Sequence, residues 1–429
     1  MKYVFFILFL LIFSPSLGQF SQTAYQMDPN VLVYGFSLNP AFKPESSWMI
    51  GMPVLSNDEL RVNANVSLDD VLLFEGGTIV FDLEHLILSN SDDLAGVFQA
   101  QVGMLSVGHH FGDHFLSFSA DARAFGLFQL DGALLASLAQ NLELPDGQYQ
   151  FSQVEAKGDA FIQFAIGDAF TLNERWTVGA RLKFMTGIGH VESTSLTGVA
   201  YVDRSTDFAS ITFDPGNIRA AGFDITDQGA VGFNNKGNYG FGIDLGAEFK
   251  INDQWTASTS VIDWGALRWK GNGISLGISE TSYETPGTTL SKEEYYATLE
   301  EGLKESVVSD TIRGRQFWSD LPLRHFLGIS YQWRPTHGFS AVLLNSRFES
   351  RWDAALSLGY NFSLGKAFST TVTYTVSEGR ADQFGLGLRT GFGPVQIFVA
   401  ADDIVAVFDY KKTQKQAVST GIYFLFGDR

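Results

Sequence analysis

The chain has 429 residues, with 29 Lys and Arg against 47 Asp and Glu, a formal net charge of −18. That balance argues against nucleic acid or an anionic membrane surface as partner, because both select a basic face. There is no cysteine, so neither disulfides nor thiolate-held metals stabilise the fold, and 38 Phe and 44 Gly against 11 Pro suit β structure with aromatic belts and crowded interior positions.

Residues 1–18 read as a secretory signal. Lys2 supplies the positive charge, Val4–Phe13 is an unbroken apolar run, and Pro15 breaks it. Ser16-Leu17-Gly18 places small residues before a cut expected ahead of Gln19. The run is too short to cross a bilayer as a helix, and later apolar runs such as Ile404–Phe408 and Ile422–Phe426 are shorter still. If the mature chain spans a membrane it does so as a closed β-barrel, since only closure pairs every backbone group in lipid. Gln19–Ser46 reads as a periplasmic plug or hatch, and residues 47–429 as the barrel.

Alternating segments follow in pairs. Val97–His110 with His114–Gly126, Ala160–Thr171 with Trp176–Gly189, and Tyr239–Ile251 with Trp255–Trp264 each flank a short turn. Arg324–Trp333 with Phe339–Phe348, the hairpin within Ala354–Ser377, and Phe384–Phe392 with Val395–Ala401 do the same. A first strand within Ser47–Leu68 and a last at Ala417–Phe426 bring the expectation to about 14 antiparallel strands. Ala354–Ser377 is the clearest stretch. Leu356, Leu358, Tyr360 and Leu364 share one face, while Ser357, Gly359, Asn361 and Ser363 share the other. The polar face is small and uncharged, which suits a barrel interior better than a soluble surface. Trp176, Trp255 and Trp333 stand at strand ends beside turns, as an aromatic girdle does.

The other connections, 127–159, 191–236 and 265–323, are long, polar and Gly-rich. Short turns at one end and long loops at the other match a bacterial outer-membrane barrel, with both termini on the periplasmic side. Short loop helices are expected over Leu127–Leu142, within Leu68–Leu88, and from a capping box at Ser291–Glu294 to about Val308.

Asp121, Arg123, Arg181, Lys183, Asp244, Glu248 and Arg389 fall on the polar face as lumen-lining candidates. Two readings stand for them: a charged ladder that selects solute or holds a plug, or pairs that neutralise one another across strands. His109, His110 and His114 cluster around a turn, but the first two point to opposite faces of one strand, so turn polarity explains them better than a metal. Asp92-Asp93 and Asp402-Asp403 read as solvated loop charge. No H-E-x-x-H or phosphate-loop motif occurs, and no catalytic residue, metal or cofactor is assigned.

Asn39-Pro40-Ala41-Phe42, Ile50-Gly51-Met52-Pro53-Val54-Leu55-Ser56 and Ser67-Leu68-Asp69-Asp70 occur in order along the chain. They are followed by LGAEFKINDQWTASTSVIDWGALRWKGNG after Asp244, LPLRHFLGISYQW from Leu321, and the ending GIYFLFGDR. In these marks the chain resembles a Bacteroidota outer-membrane β-barrel family of unknown function. The resemblance implies a barrel of the long-chain fatty-acid transporter (FadL-like) type, also similar to the PorV and PorP/SprF-like barrels of type IX secretion. It implies a channel or transporter for a small hydrophobic solute in the outer membrane, or a scaffold that joins secretion-system proteins. It further implies a C-terminal strand presented to the barrel-assembly machinery, with Tyr423, Phe424 and Phe426 as its aromatics. It transfers no catalytic residue.

Overall fold

The computed structural model describes residues 22–27, 33–64, 72–75, 78–81, 94–131, 147–203, 208–214, 216–225, 231–233, 237–270, 274–278, 281–285, 307–308, 316–348, 351–377, 380–408 and 415–428. The expected signal segment, its cut at Gln19 and the capping box at Ser291–Glu294 lie outside them.

The alternating segments form one closed antiparallel barrel of 14 strands. β1 is interrupted, running Ser46–Gly51 and then Asp58–Ala64, and both pieces pair with the same two neighbours. β2 is Leu94–Phe111, β3 His114–Leu130, β4 Gly147–Thr171, β5 Trp176–Asp203, β6 Tyr239–Lys250 and β7 Trp255–Trp269. β8 is Leu323–Arg334, β9 His337–Phe348, β10 Arg351–Leu364, β11 Phe368–Ser377, β12 Arg380–Phe392, β13 Val395–Ala401 and β14 Lys415–Asp428. β14 pairs back onto β1, Trp48 opposite Phe426 and Leu60 opposite Val418, so no edge strand is left within the ring.

The six short turns fall where the alternation breaks. Two of them share one local cause: the Asn173 carboxamide accepts from the amides of Arg175 and Trp176, and Asn252 accepts from those of Gln254 and Trp255. Each is an Asx turn that ends with a Trp on the outer rim.

Facing follows period 2. Leu358 is 54% exposed while its neighbour Ser357 is 0% exposed. Leu182, Phe184, Phe241, Val372 and Val376 also point outward, and Arg181, Lys183, Asp244, Thr371 and Thr373 are buried inside. An apolar outer band over a polar interior makes this a membrane-spanning barrel of the outer-membrane type. Trp176 packs on Phe249 and Trp255 on Tyr331 at the short-turn end, forming part of the girdle.

Strand structure runs farther into the long connections than their polar composition suggests. β4 begins at Gly147 and β5 continues to Asp203, while Phe208–Phe213, Gly216–Ala221, Ile274–Ile278 and Thr281–Thr285 extend the same sheet. The expected helix over Leu127–Leu142 is corrected in its first turn, because Leu127–Leu130 completes β3. Leu127 packs inward beside Phe125, and ladder pairing with β4 outweighs a helical spacing of Leu. The expected helix within Leu68–Leu88 is likewise replaced, over its described part, by a hairpin of Leu72–Glu75 with Thr78–Phe81. Described helix is limited to α1 (Gln22–Gln26), a 3-10 turn at Val33–Ser37 and α2 (Ile404–Phe408) between β13 and β14.

Candidate functional site

The barrel interior is filled in layers, and each layer is built from a different chemistry. Nearest the short turns is an open vestibule of about 750 Å³. Its wall carries Thr256, Ser330, Gln332, Asn361, Ser369 and Thr371. Its roof is the N-terminal segment, through Tyr25, Gln26, Met27 and Phe42.

That segment lies inside the barrel and is held by hydrogen bonds to neutral groups and to one buried carboxylate. The Thr23 amide donates to Asp402 Oδ1 at 2.9 Å, and its hydroxyl pairs with that of Thr373 at 2.8 Å. Gln26 Nε2 donates to Ser357 Oγ at 2.7 Å, while Ser340 Oγ donates to Gln26 Oε1 at 2.8 Å. The Tyr25 ring stacks on Phe326 at 4.5 Å, and its hydroxyl pairs with Ser258 at 3.2 Å. Asn39 Nδ2 donates to that same Tyr25 hydroxyl at 3.3 Å and to the Thr259 carbonyl at 3.2 Å. Wall glycines make the seat: a Cβ on Gly385 would lie 2.1 Å from Thr23 Oγ1, and one on Gly179 would lie 2.1 Å from the Pro40 carbonyl oxygen.

Above this segment is an ionic layer. Asp263 is its hub. Arg123 donates to both Asp263 oxygens, at 2.7 and 2.9 Å, in a bidentate pair. Lys183 Nζ and Arg324 Nη2 each lie 2.6 Å from the same carboxylate. Asp244 accepts from Lys183 at 2.6 Å and from the Asp263 amide at 2.8 Å, with Arg181 at 3.5 Å. Arg181 Nη2 donates to Ser119 Oγ, which donates in turn to Asp121 Oδ2. Glu59 pairs with Arg61 on the same interior level. Arg181 also lies 5.2 Å from the Phe36 ring, which ties this layer to the N-terminal segment below it.

Next comes an apolar layer of Phe125, Phe161, Met185, Leu267, Trp269, Leu321 and Phe348. Phe125 meets Phe161 and Phe348 edge to face at 5.9 and 5.3 Å. Toward the long loops His190 closes the stack, with Nδ1 2.7 Å from Asp159 Oδ1 and its ring against Trp269.

Five of the residues expected to line the lumen, Asp121, Arg123, Arg181, Lys183 and Asp244, therefore meet in the one ionic layer. The other two lie elsewhere. Glu248 faces the vestibule, and Arg389 holds the β10–β11 turn through the Lys366 and Gly365 carbonyls and Ser369 Oγ. The three histidines have separate partners. His109 stacks on Trp48 at 3.9 Å, His110 Nε2 lies 2.7 Å from the Pro44 carbonyl, and His114 Nδ1 lies 2.9 Å from Asp168.

Sequence alternation misses Asp263 for a physical reason. Asp263 has φ +65, a left-handed residue inside a strand, at a register shift against β6. The bulge places consecutive residues Ile262 and Asp263 both inside and pushes Trp264 onto the outer face. Arg324 is missed because it stands at the second residue of β8, where no alternation has yet been established. The Asn39-Pro40-Ala41-Phe42 motif was a signal of the interior segment, although nothing in it names the contact partners.

A family model covers residues 40–402. The chain belongs to the family of unknown function DUF5723. This DUF5723 barrel is similar to the crystal structure of the Ralstonia pickettii toluene transporter TbuX. Identity is 10%, coverage 97% of this chain and 100% of that one, and the TM-score 0.47. It is similar to the Pseudomonas putida toluene transporter TodX at 8% identity, with 97% of each chain covered and a TM-score of 0.42. A Pseudomonas aeruginosa FadL homologue is 12% identical, with 96% and 98% covered and a TM-score of 0.43. No curated protein matches the chain. Likenesses this distant leave the function of the DUF5723 barrel to its own residues.

Proposed function

We propose that this barrel is an outer-membrane channel kept closed by its own N-terminal segment, residues 19–46, and that it admits a small hydrophobic solute. The observation that carries the reading is how the lumen is closed. α1 sits across it on side-chain hydroxyl and amide bonds, which exchange with water at little net cost, and on one bond to the Asp402 carboxylate. A segment meant only to reinforce the wall has no need of an open vestibule beneath it. The apolar layer around Phe125 and Trp269 supports a hydrophobic solute, since such a molecule gains there by leaving water. In this reading Asp121, Arg123, Arg181, Lys183 and Asp244, with Asp263 and Arg324, form the inner seal, Glu248 lines the lumen below it, and Arg389 braces the β10–β11 turn at its rim. The short turns face the periplasm, and β14 with its aromatics is what the assembly machinery engages.

Proteoliposomes test this. The barrel should admit a small aromatic hydrocarbon and exclude a sugar of similar size. A reconstituted, folded barrel with neither conductance nor uptake, and with no bound solute after purification, would refute it.

A second reading is a non-catalytic scaffold for a secretion or surface-attachment system. It is favoured by β4 and β5, which have 25 and 28 residues where about 9–11 suffice to cross the bilayer, so both stand well clear of the membrane at the long-loop end. Crosslinking in native outer membranes should then recover a stable partner, and recovery of the barrel alone counts against it.

A further inference from the structure

The outer wall of β8–β10 is apolar in its middle and turns polar toward the long loops. Cross-strand register sets the rows. Leu327 stands beside Leu343 and Leu343 beside Leu356, all facing outward. One step nearer the long loops His325 stands beside Asn345. One step further Leu323 stands beside Arg347, and Arg347 beside Trp352. His325 and Arg347 are exposed on this outer face. The Arg347 guanidinium lies 5.9 Å from the Trp352 ring centre, and His325 Nε2 is 3.3 Å from the Thr259 hydroxyl.

Strand length gives the depth. Arg347 is ten residues beyond His337 on β9. That is about 34 Å along the strand and about 26 Å along the membrane normal at a tilt of about 40°. The apolar band of such barrels is about 25 Å tall, so the polar rows lie where hydrocarbon gives way to headgroups. Trp264 on β7 and Trp352 on β10, each 62% exposed, frame them. Val261 and Ala354, the cross-strand neighbours of His325 and Asn345, are short and leave the polar pair uncovered. A second cation stands higher. Arg268 is held by Gln316 Oε1 at 3.1 and 2.6 Å and lies 5.0 Å from the Tyr239 ring, with exposed Trp318 opposite it in register.

The polarity is local to this side. Asn345 is eight residues from its short turn. At the same remove β5 presents Phe184 and β11 presents Val376 to lipid. The chain as a whole is acidic, yet this edge gathers Arg347, Arg268 and His325 beside the exposed carboxylate of Asp320.

We infer that the upper edge of β7–β10 binds the phosphorylated sugar headgroup of an outer-leaflet glycolipid. Arg347, preordered over the Trp352 indole, donates to a phosphate, and His325 supplies a second nitrogen beside it. Asn345 and Asp320 suit sugar hydroxyls, as amide and carboxylate partners. The framing indoles pack on the sugar and the first carbons of the acyl chains. This goes beyond the proposed function. It holds for a channel and a scaffold alike, and requires only that the short turns face the periplasm.

The test is native mass spectrometry of the full mature chain in detergent. The probes are diphosphoryl lipid A, the same lipid fully dephosphorylated, and phosphatidylglycerol. Diphosphoryl lipid A should form a specific adduct and outbind both others by about tenfold, the worth of one charge-assisted bond. Arg347→Gln combined with His325→Gln should abolish that preference in a barrel that remains heat-modifiable. Trp352→Ala, which keeps every polar group, should weaken both forms of lipid A alike. Arg175→Gln, an exposed cation at the short-turn end, should change nothing. Equal affinity of the unmodified barrel for the two forms of lipid A overturns the inference, as does a preference for phosphatidylglycerol or undiminished binding by the double variant. A protein that copurifies with the unmodified barrel and is lost from the double variant also overturns it, and assigns the edge to a protein interface.

Discussion

Asp263 and Trp264 are adjacent in β7 yet face opposite media: Asp263 is 0% exposed and bonded to Arg123, and Trp264 is 62% exposed on the outer face. Strict alternation after Ser258 and Ser260 would put the carboxylate in lipid and the indole in the lumen. The left-handed turn at Asp263 reverses this. One short-side-chain residue that tolerates positive φ thus sets the polarity of the inner wall.

Replacing Asp263 with Ala should destabilise the barrel by about 3–5 kcal/mol, because Arg123, Lys183 and Arg324 would remain buried around a missing charge. The readout is the urea midpoint for loss of the heat-modifiable band in detergent or lipid. An unchanged midpoint would mean the ionic layer is hydrated and already screened.

Leu358→Arg, on the lipid face, should impair assembly at a cost of about 2–4 kcal/mol near the bilayer midplane. Ser357→Arg should assemble better, yet its side chain enters the space where Gln26 bonds to Ser357 and Thr375 donates to it. It is expected to unseat α1, which protease cleavage near the N-terminus of folded barrel would report. Equal assembly with equal protection would mean the facing of β10 is wrong.

Much of this architecture can be read directly from the residues. Ala354–Ser377 alternates so regularly that facing, turn and membrane depth follow from it, and the Asn-x-x-Trp turns mark strand ends by their own hydrogen bonds. The bulge at Asp263 is not legible, since a single Asp in a strand looks like any other polar position. The seat of α1 is not legible either. Thr23, Tyr25 and Gln26 meet partners more than 200 residues away through small neutral groups, with no spacing rule to reveal them. The helix expected at Leu127 shows the converse case, where local spacing points one way and cross-strand pairing decides.

Gly179→Ala should displace the interior segment without harming the barrel wall. The added Cβ would meet the Pro40 carbonyl at 2.1 Å, a backbone group that no rotamer change can move. Faster proteolysis at the N-terminus with unchanged heat-modifiability is expected. Wild-type protection would show that the segment has another stable path past β5.

Thr373→Val removes one partner of Thr23 while keeping the shape of the wall. The loss is about 0.5–1.5 kcal/mol from the closed state, enough to raise open probability by up to roughly tenfold if the closed state depends on that bond. Single-channel recording should show longer openings of unchanged amplitude. A changed amplitude with unchanged open time would place Thr373 on the conducting path instead of at the gate.

The most direct test of the central claim is the conductance of purified barrel in planar bilayers, for the mature chain and for a variant lacking residues 22–27. A mature barrel that is mostly closed, beside a variant that is persistently open, is the result predicted by a lumen closed by its own N-terminal segment. Equal and negligible conductance in two folded barrels would contradict it, and would leave the interior segment as part of a solid, non-conducting scaffold.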